Sequence, residues 1–120
     1  MTIRVPVLQQ GKVLIVSVQD ALSDSDLLNV QQDLLDKVFS VNATGVVIDV
    51  SALDVLDSFG TRTLSDIAAA IQLRGAKTVI VGIQADVAMS MVLLGLSLPR
   101  VATALDLEAG MALLGQRHVA

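Results

Sequence analysis

The sequence predicts an α/β fold in which helices pack against one β-sheet. Two patterns lead to this prediction. Short apolar runs rich in β-branched residues are typical of strands covered on both faces, and they alternate with longer segments whose apolar residues recur at the helical period. The predicted order of elements is ββαβαβα(β)α, with right-handed crossovers expected between parallel strands. The chain is expected to form a single domain over residues 1–120.

A β-hairpin is predicted at the start of the chain. Ile3–Leu8 is expected to be an edge strand, because Pro6 cannot donate a hydrogen bond to a central ladder. Gln9–Lys12 is predicted to form the turn. Val13–Val18, which is β-branched and nearly all apolar, is predicted to be the second strand.

A first helix is predicted after the hairpin. Ser23 suits its start, and Asp26 stands in a capping-box relation to Ser23, with Asp in place of the usual Glu. The segment from Asn42 to Gly45 is expected to end the helix. A broad apolar stripe is predicted along it, formed by Leu27, Leu28, Val30, Leu34, Leu35, Val38 and Val41.

The middle of the chain is predicted to add a strand, a helix and another strand. Val46–Val50 has the composition of a short buried strand in a parallel sheet, and residues 51–57 form the loop after it. The second helix is expected from Ser58 to about Arg74, with Gly75 as a left-handed stop. Lys77–Ile83 is predicted to be another central strand.

A third helix is predicted over roughly Asp86–Leu94, closed by Gly95. Between Val87 and Leu94 its one polar residue is Ser90. A helix that is apolar all round is normally buried, yet a helix in a one-sheet domain of this size normally keeps one face in water. Two interpretations therefore stay open: a core helix, or a subunit contact in which methionines adapt to a partner.

The last predicted elements are short. Arg100–Ala104 is expected to form an edge strand, and Asp106 is expected to cap a final helix. The apolar positions of that helix include Leu107, Met111 and Leu114.

Composition argues against several classes of function. The net charge is −4 and only 2% of residues are aromatic, so neither a basic face nor a stacking platform for nucleic acid is expected. The chain has no cysteine, one histidine (His118) and no phosphate-binding glycine motif, which leaves little for catalysis, metal binding or nucleotide binding. Its apolar stretches are far shorter than the ~20 residues that cross a bilayer, and its start has no signal-peptide core. We therefore expect a cytoplasmic protein that is not an enzyme and has no cofactor.

The segment Asp57–Gly60 is the main candidate site. Asp57 or Ser58 is expected to cap the second helix, and Phe59 in its first turn is expected to point outward. Ser58 also carries its hydroxyl at the positive end of this helix, where a phosphate dianion is well tolerated. A phosphate there is expected to leave the fold intact and to change the surface charge by about −1.5 to −2, as a switch on an interface would.

A carboxylate metal site is the alternative chemistry at this end of the predicted sheet. Asp49, Asp54 and Asp57 cluster around the carboxyl end of the third strand, where α/β sheets usually place ligands, and could imitate a magnesium site. Aspartate is also ordinary in loops and helix caps, and no lysine or arginine lies nearby in sequence. A structural turn is therefore the favoured interpretation.

The residues Val46–Val50 and Val55–Gly60 resemble the STAS domain family, the fold of bacterial anti-sigma-factor antagonists. The resemblance spans nearly the whole chain, including the opening hairpin, the helix after it, and Gly82–Gln84 followed by a short helix. Within the family, the Asp-Ser-Phe sequence and Thr103–Glu108 are similar to the RsbS-type scaffolds of the stressosome. Free antagonists usually have Asp-Ser-Ser-Gly at this point, and Phe59 replaces the second serine.

The resemblance implies a single STAS domain, with a mixed, mostly parallel sheet and about four helices mainly on one side. It implies co-assembly with RsbR-like STAS proteins into a homo- or hetero-oligomeric complex that sequesters an RsbT-like serine kinase. The kinase would phosphorylate Ser58 and be released, and an RsbX-like phosphatase would reset the serine. Asp57, Phe59 and Gly60 would complete the surface that the kinase contacts. The alternative on the same fold is a free anti-anti-sigma factor that binds an anti-sigma kinase directly.

Overall fold

A computed structural model describes residues 5–19, 23–99 and 101–115. In these ranges the strands form a five-stranded sheet in the order β1-β2-β3-β4-β5. The β1–β2 pair is antiparallel and the other pairs are parallel, which confirms the mixed, mostly parallel sheet with an N-terminal hairpin. The strands are β1 Val7–Gln10, β2 Val13–Ser17, β3 Gly45–Asp49, β4 Lys77–Val81 and β5 Ala102–Ala104.

Helices cover both faces of this sheet unequally. The helices in the described ranges are α1 Asp24–Val41, α2 Ser58–Leu73, α3 Ala85–Leu93 and α4 Leu107–Leu113. On one face, strand residues such as Leu14, Ile48 and Ile80 form one apolar core with buried residues of α1, α2 and α3. On the other face, Val47 and Val79 pack in a smaller cluster that includes Met111 of α4. The helices thus lie mainly on one side, as predicted.

The capping box at the start of α1 and the stop at its end are both as the sequence predicts. The Ser23 hydroxyl accepts a hydrogen bond from the Asp26 amide at 3.1 Å, and the Asp26 carboxylate accepts one from the Ser23 amide at 3.1 Å. Asn42 ends the helix in the left-handed conformation, with φ of 52°. The predicted apolar stripe is wrong at Leu28, which is exposed. The buried positions recur every four residues, at 26, 30, 34 and 38, so Leu28 lies on the opposite side of the helix.

The first hairpin is tighter than predicted. A two-residue turn at Gly11 and Lys12, with Gly11 at φ of 61°, lets pairing continue to Gln10 and Val13. The first strand begins at Val7 rather than before Pro6, and it extends to Gln10 instead of ending at Leu8. Ile3 and Arg4 lie outside the described residues.

The predicted strand Lys77–Ile83 is two residues too long. It ends at Val81 because the chain turns at Gly82, where φ is 81°. Gly75, the predicted stop of α2, has φ of 84°, which confirms the left-handed turn there.

The third helix is buried along only part of its surface. It buries Val87 and Met91 against the core. Four other large apolar side chains of this segment are 60–78% exposed: Met89, Val92, Leu93 and Leu94. The core interpretation therefore holds for two of its positions, and most of its apolar surface faces outward. In the described ranges, no helix combines the length and the hydrophobicity that a membrane span requires.

Gly110 brings α4 against the sheet. A Cβ atom on Gly110 would lie 2.6 Å from Val81 Cγ1 and 3.5 Å from Val79 Cγ1, so the backbone of α4 itself contacts the strand side chains. A methyl group at this position must push the helix off the sheet or force the valines from their rotamers.

We therefore expect Gly110→Ala to lower the free energy of unfolding by about 1–3 kcal/mol, although alanine favours helices more than glycine does. Urea denaturation of the purified chain measures the change. Ala112→Ser, at an exposed position of the same helix, is the control and should stay within about 0.5 kcal/mol of the parent. A Gly110→Ala variant as stable as the parent would show that the backbone of α4 does not pack directly against Val81.

Candidate functional site

Ser58 lies at the first turn of α2, after the loop that leaves β3. Asp57 is the N-cap, and its Oδ1 accepts a hydrogen bond from the Gly60 amide at 2.7 Å. Of the two predicted caps, the structure therefore selects Asp57. The Ser58 side chain is exposed, and its hydroxyl makes no hydrogen bond with the described part of the chain. This leaves the hydroxyl open to an incoming reactant.

Gly60 lets the cap close tightly. A Cβ atom on Gly60 would lie 3.0 Å from Leu56 Cδ1 and 3.2 Å from Asp57 Oδ1. Any side chain here would press on the carboxylate that holds the first turn. The glycine therefore has a packing role at the candidate site, in addition to its place in the motif.

Exposed apolar side chains flank Ser58. Phe59 is 38% exposed, as predicted, and Val55 in the preceding loop is 71% exposed. Val55 is not among the residues predicted for the candidate site. Val55 lies between the buried Leu53 and Leu56, beside the exposed Asp54, and no periodic pattern in the sequence marks it as exposed.

The neighbouring hydroxyl of Thr61 is in a different environment. Thr61 is 4% exposed, and its Oγ1 is buried without a hydrogen-bond partner in the described structure. A modifying enzyme could not reach it without opening the first turns of α2. The accessible hydroxyl of this segment is therefore that of Ser58.

The three carboxylates at this edge serve local structure. Asp49 Oδ1 accepts a hydrogen bond from the Ser51 amide at 2.9 Å, Asp57 caps α2, and Asp54 Oδ1 lies 3.4 Å from the amide nitrogen of the Gln84 side chain. Within the described residues, no group of three or more His, Cys, Asp or Glu side chains could hold a metal ion. The geometry thus favours the structural turn over the magnesium site.

A cleft beside Asp57 separates the start of α1 from the loop before α2. It has a volume of about 190 Å³ and is lined by leucines, including Leu27 and Leu64, and by the Asp24 and Asp57 carboxylates. Sites for small-molecule ligands usually measure roughly 300–1,000 Å³. The cleft is smaller than such ligand sites.

The cap at Asp57 can be tested separately from its charge. We expect Asp57→Ala to lower the free energy of unfolding by about 1 kcal/mol, because the Gly60 amide loses its acceptor. Asp57→Asn keeps an acceptor oxygen and should cost less than about 0.5 kcal/mol. Thermal and urea denaturation measure both variants. If Asp57→Asn were as destabilised as Asp57→Ala, the contribution of Asp57 would be its charge at the helix end and not the hydrogen bond.

Comparison with known proteins identifies the family of this fold. The family model of the STAS domain matches residues 4–107. The chain belongs to the STAS domain family. This confirms the family, and with it the fold, that the sequence motifs predicted. No curated protein sequence matches the chain at a significant level.

Two solved structures place this STAS chain near the stressosome proteins. The S58E variant of RsbS from Moorella thermoacetica is 37% identical, with a TM-score of 0.81, over 93% of this chain and 95% of that one. A structure described as the molecular architecture of the stressosome, a signal integration and transduction hub, contains a chain that is 36% identical, with a TM-score of 0.78, over 92% of this chain and 96% of that one.

A more distant STAS relative shares the fold alone. The anti-sigma factor antagonist SpoIIAA in its unphosphorylated form is 14% identical, with a TM-score of 0.72, over 93% of this chain and 97% of that one. The similarity to RsbS and to the stressosome chain supports a scaffold role for the chain, and SpoIIAA adds agreement in fold alone.

Proposed function

We propose that this STAS chain is a non-enzymatic scaffold and phosphorylation switch of a stressosome-type complex in the cytoplasm. It holds an RsbT-like serine kinase until the kinase phosphorylates Ser58, and an RsbX-like phosphatase resets the serine. The observation that carries the proposal is the exposed and unengaged Ser58 hydroxyl at a capped helix start, in a chain 37% identical to an RsbS protein.

The position of Ser58 suits reversible phosphorylation. Backbone N–H groups and the positive end of the helix dipole stabilise a phosphate at the first turn, so the fold tolerates the modification. The phosphate adds about −1.5 to −2 charges beside the Asp57 carboxylate. An acidic or apolar kinase surface seated on this turn would be repelled, which gives release a physical cause.

The kinase-binding surface in this proposal consists of Asp57, Ser58, Phe59 and Gly60. Phe59 supplies an exposed apolar contact next to the acceptor, and Gly60 keeps the turn closed around the Asp57 cap. Val55 extends the same apolar surface on the other side of Ser58. An apolar surface centred on the acceptor would hold a kinase longer than a simple substrate contact.

The exposed side chains of α3 are proposed to contact RsbR-like STAS subunits. Met89, Val92, Leu93 and Leu94 form an apolar patch that water would otherwise cover, and Asp86 is the one charged residue of the helix. The similarity to a chain from a stressosome assembly supports an oligomeric partner over a small ligand.

The proposal is tested by reconstitution. The purified chain, an RsbR-like STAS protein and an RsbT-like kinase are mixed, and the particle mass is followed by size-exclusion chromatography with light scattering. We expect a large complex that retains the kinase, and release of the kinase when ATP is added. A chain that stays monomeric with its partners, or that retains the kinase after full phosphorylation, would contradict the scaffold switch.

The alternative is a free anti-anti-sigma factor that binds an anti-sigma kinase directly. The fold of SpoIIAA and the glycine at position 60, which keeps the wider family pattern, favour it. Such a protein exchanges partners as a small complex. A 1:1 or 2:2 complex with a kinase, and no larger particle with any STAS partner, would support this alternative.

A further inference from the structure

Two loops meet at the edge of the sheet that carries Ser58. One is the β3–α2 loop, and the other is the short β4–α3 connection at Gly82–Gln84. A Cβ atom on Gly82 would lie 2.9 Å from Ser51 Cβ and 3.1 Å from Asp49 Oδ1. The two loops are therefore in direct contact, and the glycine leaves no gap between them.

Gln84 joins these loops by its side chain. It is the N-cap residue of α3, yet its side chain makes no capping bond to that helix. Instead, its Nε2 donates a hydrogen bond to the Ser51 carbonyl at 2.9 Å and lies 3.4 Å from Asp54 Oδ1. The side-chain amide of the N-cap residue of α3 therefore binds the loop that precedes Ser58.

Few side chains of α3 itself attach the helix to the core, and Ile83 and Leu96 pack against the core on either side of it. The helix has nine residues and buries only Val87 and Met91 within the described structure. Its C-terminal end is followed by Gly95 in the left-handed conformation, and the outer side chains are exposed. The contacts of Gln84 with the β3–α2 loop and the packing of Ile83 against the core together set where α3 begins.

We propose that Gln84 is a positioning residue that couples the Ser58 turn to the apolar patch of α3. The inference rests on the proposed role of Ser58 as the phosphate acceptor. Asp57 keeps the cap, while a phosphate on Ser58 adds negative charge four positions after Asp54, the carboxylate that Gln84 contacts, and repels it. The loop then shifts, and Gln84 transmits the shift to α3. Phosphorylation would in this way alter the surface that contacts neighbouring subunits as well as the kinase.

Amide hydrogen exchange on the full chain tests this coupling without any kinase. Ser58→Asp is placed in the parent, in Gln84→Ala, in Gln84→Glu and in Gln32→Ala. Gln84→Glu keeps the size of the side chain but cannot donate to Ser51. Gln32→Ala is the matched control, because it removes a glutamine hydrogen bond to Asp36 on α1, away from this edge. The readout is the change in exchange rate of residues 85–93 that Ser58→Asp causes in each background.

We expect Ser58→Asp to change α3 exchange at least about threefold in the parent and in Gln32→Ala, and less than about 1.5-fold in both Gln84 variants, because the two sites are then uncoupled. If Gln84 had only a structural role, its replacement would raise the exchange rate of α3 in the absence of Ser58→Asp. The change that Ser58→Asp causes would then be the same as in the parent. An equal response in all four backgrounds, or no response in the parent, overturns the inference.

The failure of this inference can be told apart from failure of the proposed function. Labelling of Ser58 by the kinase, measured in the parent chain, tests the acceptor role alone. If the kinase labels Ser58 but Ser58→Asp does not change exchange in α3, the proposed coupling through Gln84 is refuted and the proposed phosphorylation switch is not.

Discussion

Ser58→Ala should abolish phosphorylation of the chain by an RsbT-like serine kinase. The Ser58 hydroxyl is exposed and unengaged, whereas the nearby Thr61 hydroxyl is buried, so no second acceptor in the first turn of α2 can replace it. The purified chain is incubated with kinase and ATP, and phosphate is located by intact mass and peptide mapping. Ser25→Ala is the matched control, because Ser25 is another exposed serine in the first turn of a helix, and it should be labelled as the parent is.

Ser58→Asp should weaken capture of the kinase by at least about tenfold, or 1.4 kcal/mol, because it adds charge to the proposed contact surface. The melting temperature should change by less than about 3 °C, since Asp57 keeps the cap and negative charge is favourable at a helix start. Binding is measured by calorimetry or by pull-down with the kinase. Phosphate elsewhere in Ser58→Ala at the parent level would refute the assignment of the acceptor, and unchanged capture by Ser58→Asp would refute the switch.

The second large effect is expected at α3. Leu93→Asp should prevent assembly with an RsbR-like partner, because a carboxylate buried in an apolar contact without a partner charge costs several kcal/mol. Leu93 is 78% exposed in the isolated chain, so its replacement should leave the monomer folded, with a change in unfolding free energy below about 0.5 kcal/mol. Light scattering of the mixed proteins and urea denaturation of the single chain measure the two quantities.

Leu73→Asp is the matched control for the α3 patch. Leu73 is 88% exposed at the end of α2 and lies outside the α3 patch, so the same change of leucine to aspartate should leave assembly intact. Assembly of Leu93→Asp at the parent level would show that α3 is not the subunit contact. Equal loss of assembly in Leu93→Asp and Leu73→Asp would show that added charge alone disrupts the complex.

The type and order of the elements could be predicted because they depend on near neighbours. The capping box at Ser23, the left-handed turn at Gly75 and the Asp106 cap of α4 each involve residues no more than four positions apart. The predicted ends of the strands were less accurate where the backbone angle of one glycine sets the end of the strand. Gly11 extended the hairpin to Gln10, and Gly82 ended β4 two residues early.

The candidate site was predicted in part. The Asp-Ser-Phe-Gly sequence at a helix start identified Ser58, while the choice of Asp57 as the cap needed the geometry of its carboxylate. Val55 was missed because its exposure depends on the path of the loop. The second phenylalanine shows the same limit, since Phe39 stacks under the Arg74 guanidinium 4.3 Å away, from a position 35 residues earlier in the chain.

The sequence by itself determined the α/β order, the caps of α1 and α4 and the serine at the start of α2, because periodicity and capping act within about one turn of chain. Only the tertiary structure decided which apolar residues of α3 face outward, how closely α4 approaches the sheet at Gly110, and that Gln84 reaches Ser51. The contacts of Gly110 and Gln84 join segments about 30 residues apart. Gln84 reaches Ser51 because parallel pairing brings the ends of β3 and β4 to the same edge of the sheet.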